Sequence, residues 1–141
     1  MTFRFALGLM LLILGMTYSQ CTNDDPKYKL YFVEGQRLYL THCSNCHQQD
    51  GKGLRKLYPP LAASDFMEKN VERVACAMKY GMRGEIEVNG TMYRQTMPGV
   101  AALTELEVAE ISTYIYNSWG HEKGLIDVKR MTAIMETCET R

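Results

Sequence analysis

Thr41-His42-Cys43-Ser44-Asn45-Cys46-His47-Gln48 contains Cys43, Cys46 and His47 in the order Cys-x-x-Cys-His, the spacing by which a chain attaches a c-type haem. Two thiols on one turn can add to the two vinyl groups of the porphyrin. The next residue then sets an imidazole nitrogen under the iron, while Ser44 and Asn45 only span the gap. Two other uses of the spacing fit less well. A thioredoxin-like redox pair belongs in a βαβ setting, and no such pattern surrounds this segment. A structural zinc site wants four ligands in two clusters, and the chain has no second Cys/His cluster.

Upstream, Arg4 and the apolar run Phe5–Leu14 have the form of an export signal, which strengthens the haem reading. The run is ten residues, short of the roughly 20 that a spanning helix needs. Cys21 follows it, and then the polar Thr22-Asn23-Asp24-Asp25. This arrangement resembles a bacterial lipoprotein signal, in which cleavage leaves the cysteine as the new N-terminus, with diacylglycerol on its sulfur. Tyr18 and Gln20 depart from the usual Leu and small residue at those places. The expectation is a signal peptide over 1–20, lipid at Cys21, a tether over 21–27 and a domain over 28–141. The protein would then sit on the periplasmic side of a bacterial membrane. The alternatives are an uncleaved anchor continuing through Tyr18, and a disulfide-bonded or free Cys21.

The chain has 141 residues, 46% hydrophobic and 23% charged, which describes one globular domain. Sixteen basic residues balance sixteen acidic ones, and removing residues 1–20 takes away only Arg4, leaving a net charge of −1. Such a balance gives no electrostatic case for nucleic acid.

The remaining segments read as helices with one excursion. Lys29 to Cys43 is expected to be helical, with Leu30, Val33 and Leu40 as its apolar stripe and Gly35 at a close helix contact. Asp50-Gly51-Lys52-Gly53 reads as a turn and Tyr58-Pro59-Pro60-Leu61 as extended chain. Ser64 or Asp65 would cap a helix running to about Lys79, stopped by Gly81. Asn89-Gly90 marks a hairpin within residues 85–94, because both central residues of a type I′ turn need positive φ. Thr104 and Glu107 form a capping box ahead of Val108, Ile111, Ile115 and Trp119, a helix that Gly120 would end. Residues 125–138 would add a short helix. The fold class is all-α with a small β-hairpin.

A six-coordinate iron needs a second ligand. His42 is too close in sequence to His47 to reach the opposite side, whereas His121 has the freedom to do so. Among the methionines, Met97 precedes Pro98-Gly99, in a loop that proline stiffens, and a stiff loop can hold a thioether at a metal. Met92 is the runner-up, and Met67, Met78, Met131 and Met135 sit at core-like helical positions. His/Met ligation raises the potential relative to two histidines and leaves no open position, which favours electron transfer over catalysis.

Taken together, the helix with Gly35 and Tyr39, then Cys43, Cys46 and His47, then Pro59, Met97, and a helix bearing Tyr114 and Trp119, resembles class I cytochrome c. The segment with Asn89-Gly90, Met97-Pro98 and Asn117-Ser118-Trp119-Gly120 is similar to the small c-type domains attached to haem-copper oxidases. The resemblance covers about residues 30–120. It implies one haem c held covalently by Cys43 and Cys46, with His47 and Met97 as axial ligands. It also implies that the Pro59 carbonyl, or that of Pro60, takes the other ring nitrogen of His47, and that Gly35 and Tyr114 meet where the first and last helices cross. Gln48 stands where the family often has glycine. Residues 121–141 extend beyond the family core.

Cys76 and Cys138 are the cysteines left unassigned in an oxidising compartment, and they are expected to pair as a disulfide, two buried thiols being the alternative. The leading functional expectation is a lipid-anchored monohaem electron carrier, not an enzyme, passing single electrons between a quinol-oxidising complex and a terminal oxidase or reductase. Second is a haem-bearing subunit fixed in a larger oxidoreductase. A haem sensor or weak peroxidase comes third.

Overall fold

The computed structural model describes residues 25–138; the expected signal peptide and the lipid site at Cys21 lie outside these. Asp25 opens the first helix. Its carboxylate accepts the Lys27 N–H at 2.9 Å, and Pro26 fills the first turn, where its missing N–H costs nothing. Helix α1 then runs Pro26–His42, starting ahead of the expected Lys29 and taking up the end of the expected tether. Its buried side is Tyr31, Gly35, Leu38 and Tyr39. The stripe of Leu30, Val33 and Leu40 faces solvent instead, 59%, 61% and 43% exposed. Apolar residues occur all round this helix, so spacing alone does not choose its inner side. The choice is made by Gly35 and by Tyr39, which buries its ring against that of Tyr114 and sends its hydroxyl to Gln48 O at 2.6 Å.

One residue, Cys43, separates α1 from α2, Ser44–His47. A loop follows that folds back on itself: the Gly51 carbonyl accepts the N–H groups of Leu61 and Ala62 at 2.7 and 2.9 Å, and Gly53 N–H reaches His47 O at 3.0 Å. Helix α3, Asp65–Lys69, is capped by Ser64, whose hydroxyl accepts the Met67 N–H at 3.3 Å. Where one helix is expected to run on to Lys79, the chain breaks at Asn70 and restarts as α4, Val71–Tyr80. The Asn70 amide turns back to Phe66 O at 2.8 Å, the local side-chain bond by which asparagine competes with a helical ladder. Gly81 ends α4 with φ +81.

The hairpin forms where expected. Strands β1, Ile86–Val88, and β2, Thr91–Tyr93, pair antiparallel with Val88 opposite Thr91. Asn89 and Gly90 between them take φ +49 and +74, as the turn requires. Asn89 also clamps the hairpin to α3: its side chain accepts the Asp65 N–H at 3.0 Å and donates to Ala63 O at 3.2 Å.

Helix α5, Glu105–Ile115, starts at the expected capping box of Thr104 and Glu107. It stops a turn before Trp119. The side chains of Asn117 and Ser118 donate to Thr113 O and Tyr114 O, both at 2.7 Å, occupying carbonyls that another helical turn would have used. The last helix, α6, is Val128–Cys138. The core lies where α1 crosses α5. A methyl group on Gly35 would come 2.0 Å from the Glu110 carbonyl oxygen and 2.9 Å from Tyr114 Cβ, so only glycine lets the helices approach this closely. Beside the crossing, the Tyr39 ring lies 5.4 Å from that of Tyr114 and 5.3 Å from that of Trp119.

Beyond the family core, the C-terminal stretch is an added layer. Thr113 Oγ1 donates to Ile126 O and accepts its N–H, at 3.2 and 3.1 Å. Ile126 and Met131 are fully buried. Cys76 on α4 and Cys138 at the end of α6 are joined as a disulfide, with Cα atoms 5.6 Å apart. Among the described residues no helix is long and apolar enough to cross a membrane.

Candidate functional site

Cys43, Cys46 and His47 come together because the chain re-enters a helical turn directly after α1. The His47 N–H reaches Cys43 O at 3.0 Å and the Cys46 N–H reaches the same oxygen at 3.2 Å. Positions three and four apart on such a turn face one way, so both thiols and the imidazole border a single cavity. Cys43 and Cys46 are the free thiols among the described residues. Burial, followed by the neighbouring Cys46, pushes the Cys43 thiol up to about 11. A redox-active Cys-x-x-Cys pair works through a lowered thiol pKa, so the environment speaks against that use.

The His47 ring is buried and its orientation is fixed. Nδ1 lies 3.1 Å from the carbonyl oxygen of Pro59, which can only accept, so the proton sits on Nδ1 and the lone pair on Nε2. Pro59, not Pro60, makes this contact. Burial lowers the His47 pKa, opposed by the Pro59 bond, and the neutral imidazole is the form that ligates a metal. Gly53 makes room for this carbonyl: a methyl group there would come within 2.3 Å of Tyr58 O and 2.6 Å of Pro59 O.

Met97 borders the same cavity, in a loop held by backbone hydrogen bonds. Met97 and Met82 exchange both N–H···O bonds, at 3.0 and 2.9 Å, and Val100 N–H reaches Met78 O at 2.8 Å. Gly99 is pressed against the end of α4, where a methyl group would lie 2.5 Å from both Gly81 N and Lys79 O. The Met-Pro-Gly loop is therefore stapled onto the strand-like segment that leaves α4. Met82 is a residue that sequence reasoning missed, since no motif singles it out. Met67 and Met78 also line the cavity, from α3 and α4. Met131 and Met135 pack in the core, as expected.

The other candidates for a second ligand lie elsewhere. Met92 is on the outward side of the hairpin, opposite Glu87 and 46% exposed. His121 has both ring nitrogens engaged, Nδ1 with Glu68 Oε1 at 2.5 Å and Nε2 with Leu61 O at 2.8 Å. It is a structural histidine.

The arrangement suits a haem: free thiols on one turn, an imidazole with its lone pair set by Pro59, a thioether from another wall, and otherwise largely apolar lining such as Leu103, Ile111 and Ile115. The model of the cytochrome c family matches residues 32–119. Cytochrome c-552 of Thermus thermophilus is 34% identical over 105 residues, spanning 72% of this chain and 79% of that protein. The cytochrome c subunit of the quinone alcohol dehydrogenase of Gluconacetobacter polyoxogenes is 27% identical over 109 residues, 74% of this chain but 23% of that longer protein. The cavity walls, from Tyr39 to Ile115, fall inside the matched region. The chain therefore belongs to the cytochrome c family, as a class I protein that carries one covalently attached haem c and transfers electrons.

Proposed function

We propose that this protein is a membrane-tethered, single-electron carrier of a respiratory chain, exported to the periplasmic side and held there by lipid at Cys21. The observation that carries the electron-carrier reading is that His47 and Met97 border one apolar cavity from separate walls. In this reading Cys43 and Cys46 would hold the haem through thioether bonds, and His47 and Met97 would ligate its iron. When bound, the haem supplies the one-electron centre. The chain supplies the rest. Pro59 holds the His47 ring and its proton in place, as such partners of a metal-bound histidine do. The staple between Met82 and Met97 keeps the thioether loop from swinging away. The apolar walls exclude water, and with thioether ligation this favours the reduced state. His42, Gln95 and Thr96 are exposed residues at the rim, where a redox partner would approach. A quinol-oxidising complex and a terminal oxidase or reductase are the partner classes that suit this place.

Export and tethering are supported by the sequence of residues 4–25. A tether raises the local concentration near membrane partners without any new contact. Mass spectrometry of the mature protein's N-terminal peptide tests this: a diacylated Cys21 is expected, and an unmodified Cys21 overturns the lipid anchor. A second reading, a fixed subunit of a larger oxidoreductase, is favoured by the likeness to the cytochrome subunit of quinone alcohol dehydrogenase. Purification from detergent-solubilised membranes separates the two. A carrier emerges as a single chain, and a subunit keeps stoichiometric company. Rapid carbon monoxide binding to the native ferrous protein would contradict both and point to a sensor or weak peroxidase.

A further inference from the structure

Met82 and Met97 face each other across an antiparallel bridge. Their backbones exchange both hydrogen bonds, Met82 N–H to Met97 O at 2.9 Å and Met97 N–H to Met82 O at 3.0 Å. In such a pair the α-carbons lie about 5.5 Å apart and the side chains leave the ribbon on the same side. Both residues border the cavity that His47 borders. We propose that Met82 is a second thioether donor for the axial position assigned above to Met97, and that it occupies this position when Met97 is lost. The proposal rests on that assignment.

Two features separate Met82 from the other methionines of the wall. Met67 and Met78 lie on helices and are buried to 1% and 4% exposure, so their side chains belong to the core packing. Met82 is only partly buried and sits on extended chain beyond the end of α4. Its register against Met97 cannot slip. A methyl group on Gly81 would come 2.7 Å from Met97 O, and one on Gly99 would come 2.5 Å from Gly81 N, so the two backbones fit together in one way. Finally, methionine has three rotatable side-chain bonds, enough to bring its sulfur across the offset between two opposed residues. A leucine at position 82 would fill the same space and offer no donor.

The test uses the holoprotein and the near-infrared sulfur-to-iron absorption band of its ferric form. Met97→Leu should keep a band at a shifted wavelength. Met82→Leu alone should keep the original band, and the double variant should lose it. Loss of the band in Met97→Leu overturns the role of Met82 while leaving Met97 as the native ligand. Loss in Met82→Leu alone makes Met82 the resident ligand, which overturns the assignment of Met97 and the proposal with it. A wild-type protein without the band overturns thioether ligation before any variant is made. If Met97→Leu yields no holoprotein, methyl-labelled methionine in the unaltered ferrous protein decides. The Met82 methyl should be displaced by the porphyrin ring current, and a methyl at its ordinary position overturns the proposal.

Discussion

At the residue scale, Gln48 shows what a departure from a family pattern costs. It follows the haem-binding turn with φ 62 and ψ 162, a region that is nearly closed to residues with a β-carbon. Four bonds hold it there: its N–H to Ser44 O at 2.9 Å, the Tyr39 hydroxyl to its carbonyl at 2.6 Å, the Gly51 N–H to the same carbonyl at 3.3 Å, and its side-chain Nε2 to Asn45 O at 3.3 Å. Gln48→Gly should therefore stabilise the protein by about 1 kcal/mol, read as a higher denaturation midpoint with an unchanged haem spectrum. An unchanged or lower midpoint would mean that the strain is absorbed elsewhere. This strain is visible only in the backbone, since nothing in Gln48-Gln49-Asp50 announces a positive φ. The thiols, His47 and the Met97 loop are legible because their types and spacing are dictated by chemistry. Met82 is not, because its relation to Met97 exists only once two distant segments pair.

Between elements, the close approach of α1 and α5 rests on the missing side chain of Gly35. Gly35→Ala has to push aside the Glu110 carbonyl, which no side-chain rotation can relieve, and should cost about 3 kcal/mol. Urea denaturation of the holoprotein measures this, and a loss below about 1 kcal/mol would contradict the crossing. The sequence marks Gly35 correctly but misplaces the inner face of α1, because Leu30, Val33 and Leu40 compete with the tyrosines for that role. It also runs α3 into α4 and carries α5 on to Trp119. In both places a polar side chain, that of Asn70 or those of Asn117 and Ser118, diverts helical carbonyls in a way that apolar spacing does not register. The caps and the hairpin are legible because each is a short-range rule: Thr104 with Glu107, Asn89 with Gly90.

The C-terminal layer is joined to α3 by charge. Glu68 accepts from Lys123 Nζ and His121 Nδ1, each at 2.5 Å, and these bonds, Lys123 first, hold its carboxyl below the ordinary carboxylate range. A lowered folded-state pKa means that the stabilisation is present above the unfolded value, about 4.3, and fades as pH falls through the folded one. Amide protection factors over residues 121–126, taken relative to the intrinsic exchange rate at each pH, should fall on acidification through that window. In Glu68→Gln these factors should already be low at neutral pH and should change little with acid. Equal pH profiles in the two proteins would remove Glu68 from the latch.

At the scale of the whole molecule, the chain is a rigid holder for one redox centre. The Cys76–Cys138 disulfide and the Glu68 contacts bind the C-terminal layer to the same α3 and α4 that line the cavity. A carrier gains from this, since little has to move when its charge changes by one electron. The titratable side chains that border the cavity are Cys43, Cys46 and His47, His42 at the rim, and Tyr39, Tyr58 and Tyr93. The measurement that bears most directly on this account is an absorption-monitored redox titration of the purified holoprotein. It should give one fully reversible transition with a one-electron slope, low-spin and six-coordinate in both states. A two-electron slope, or a form that gains an open coordination position on reduction, would contradict it.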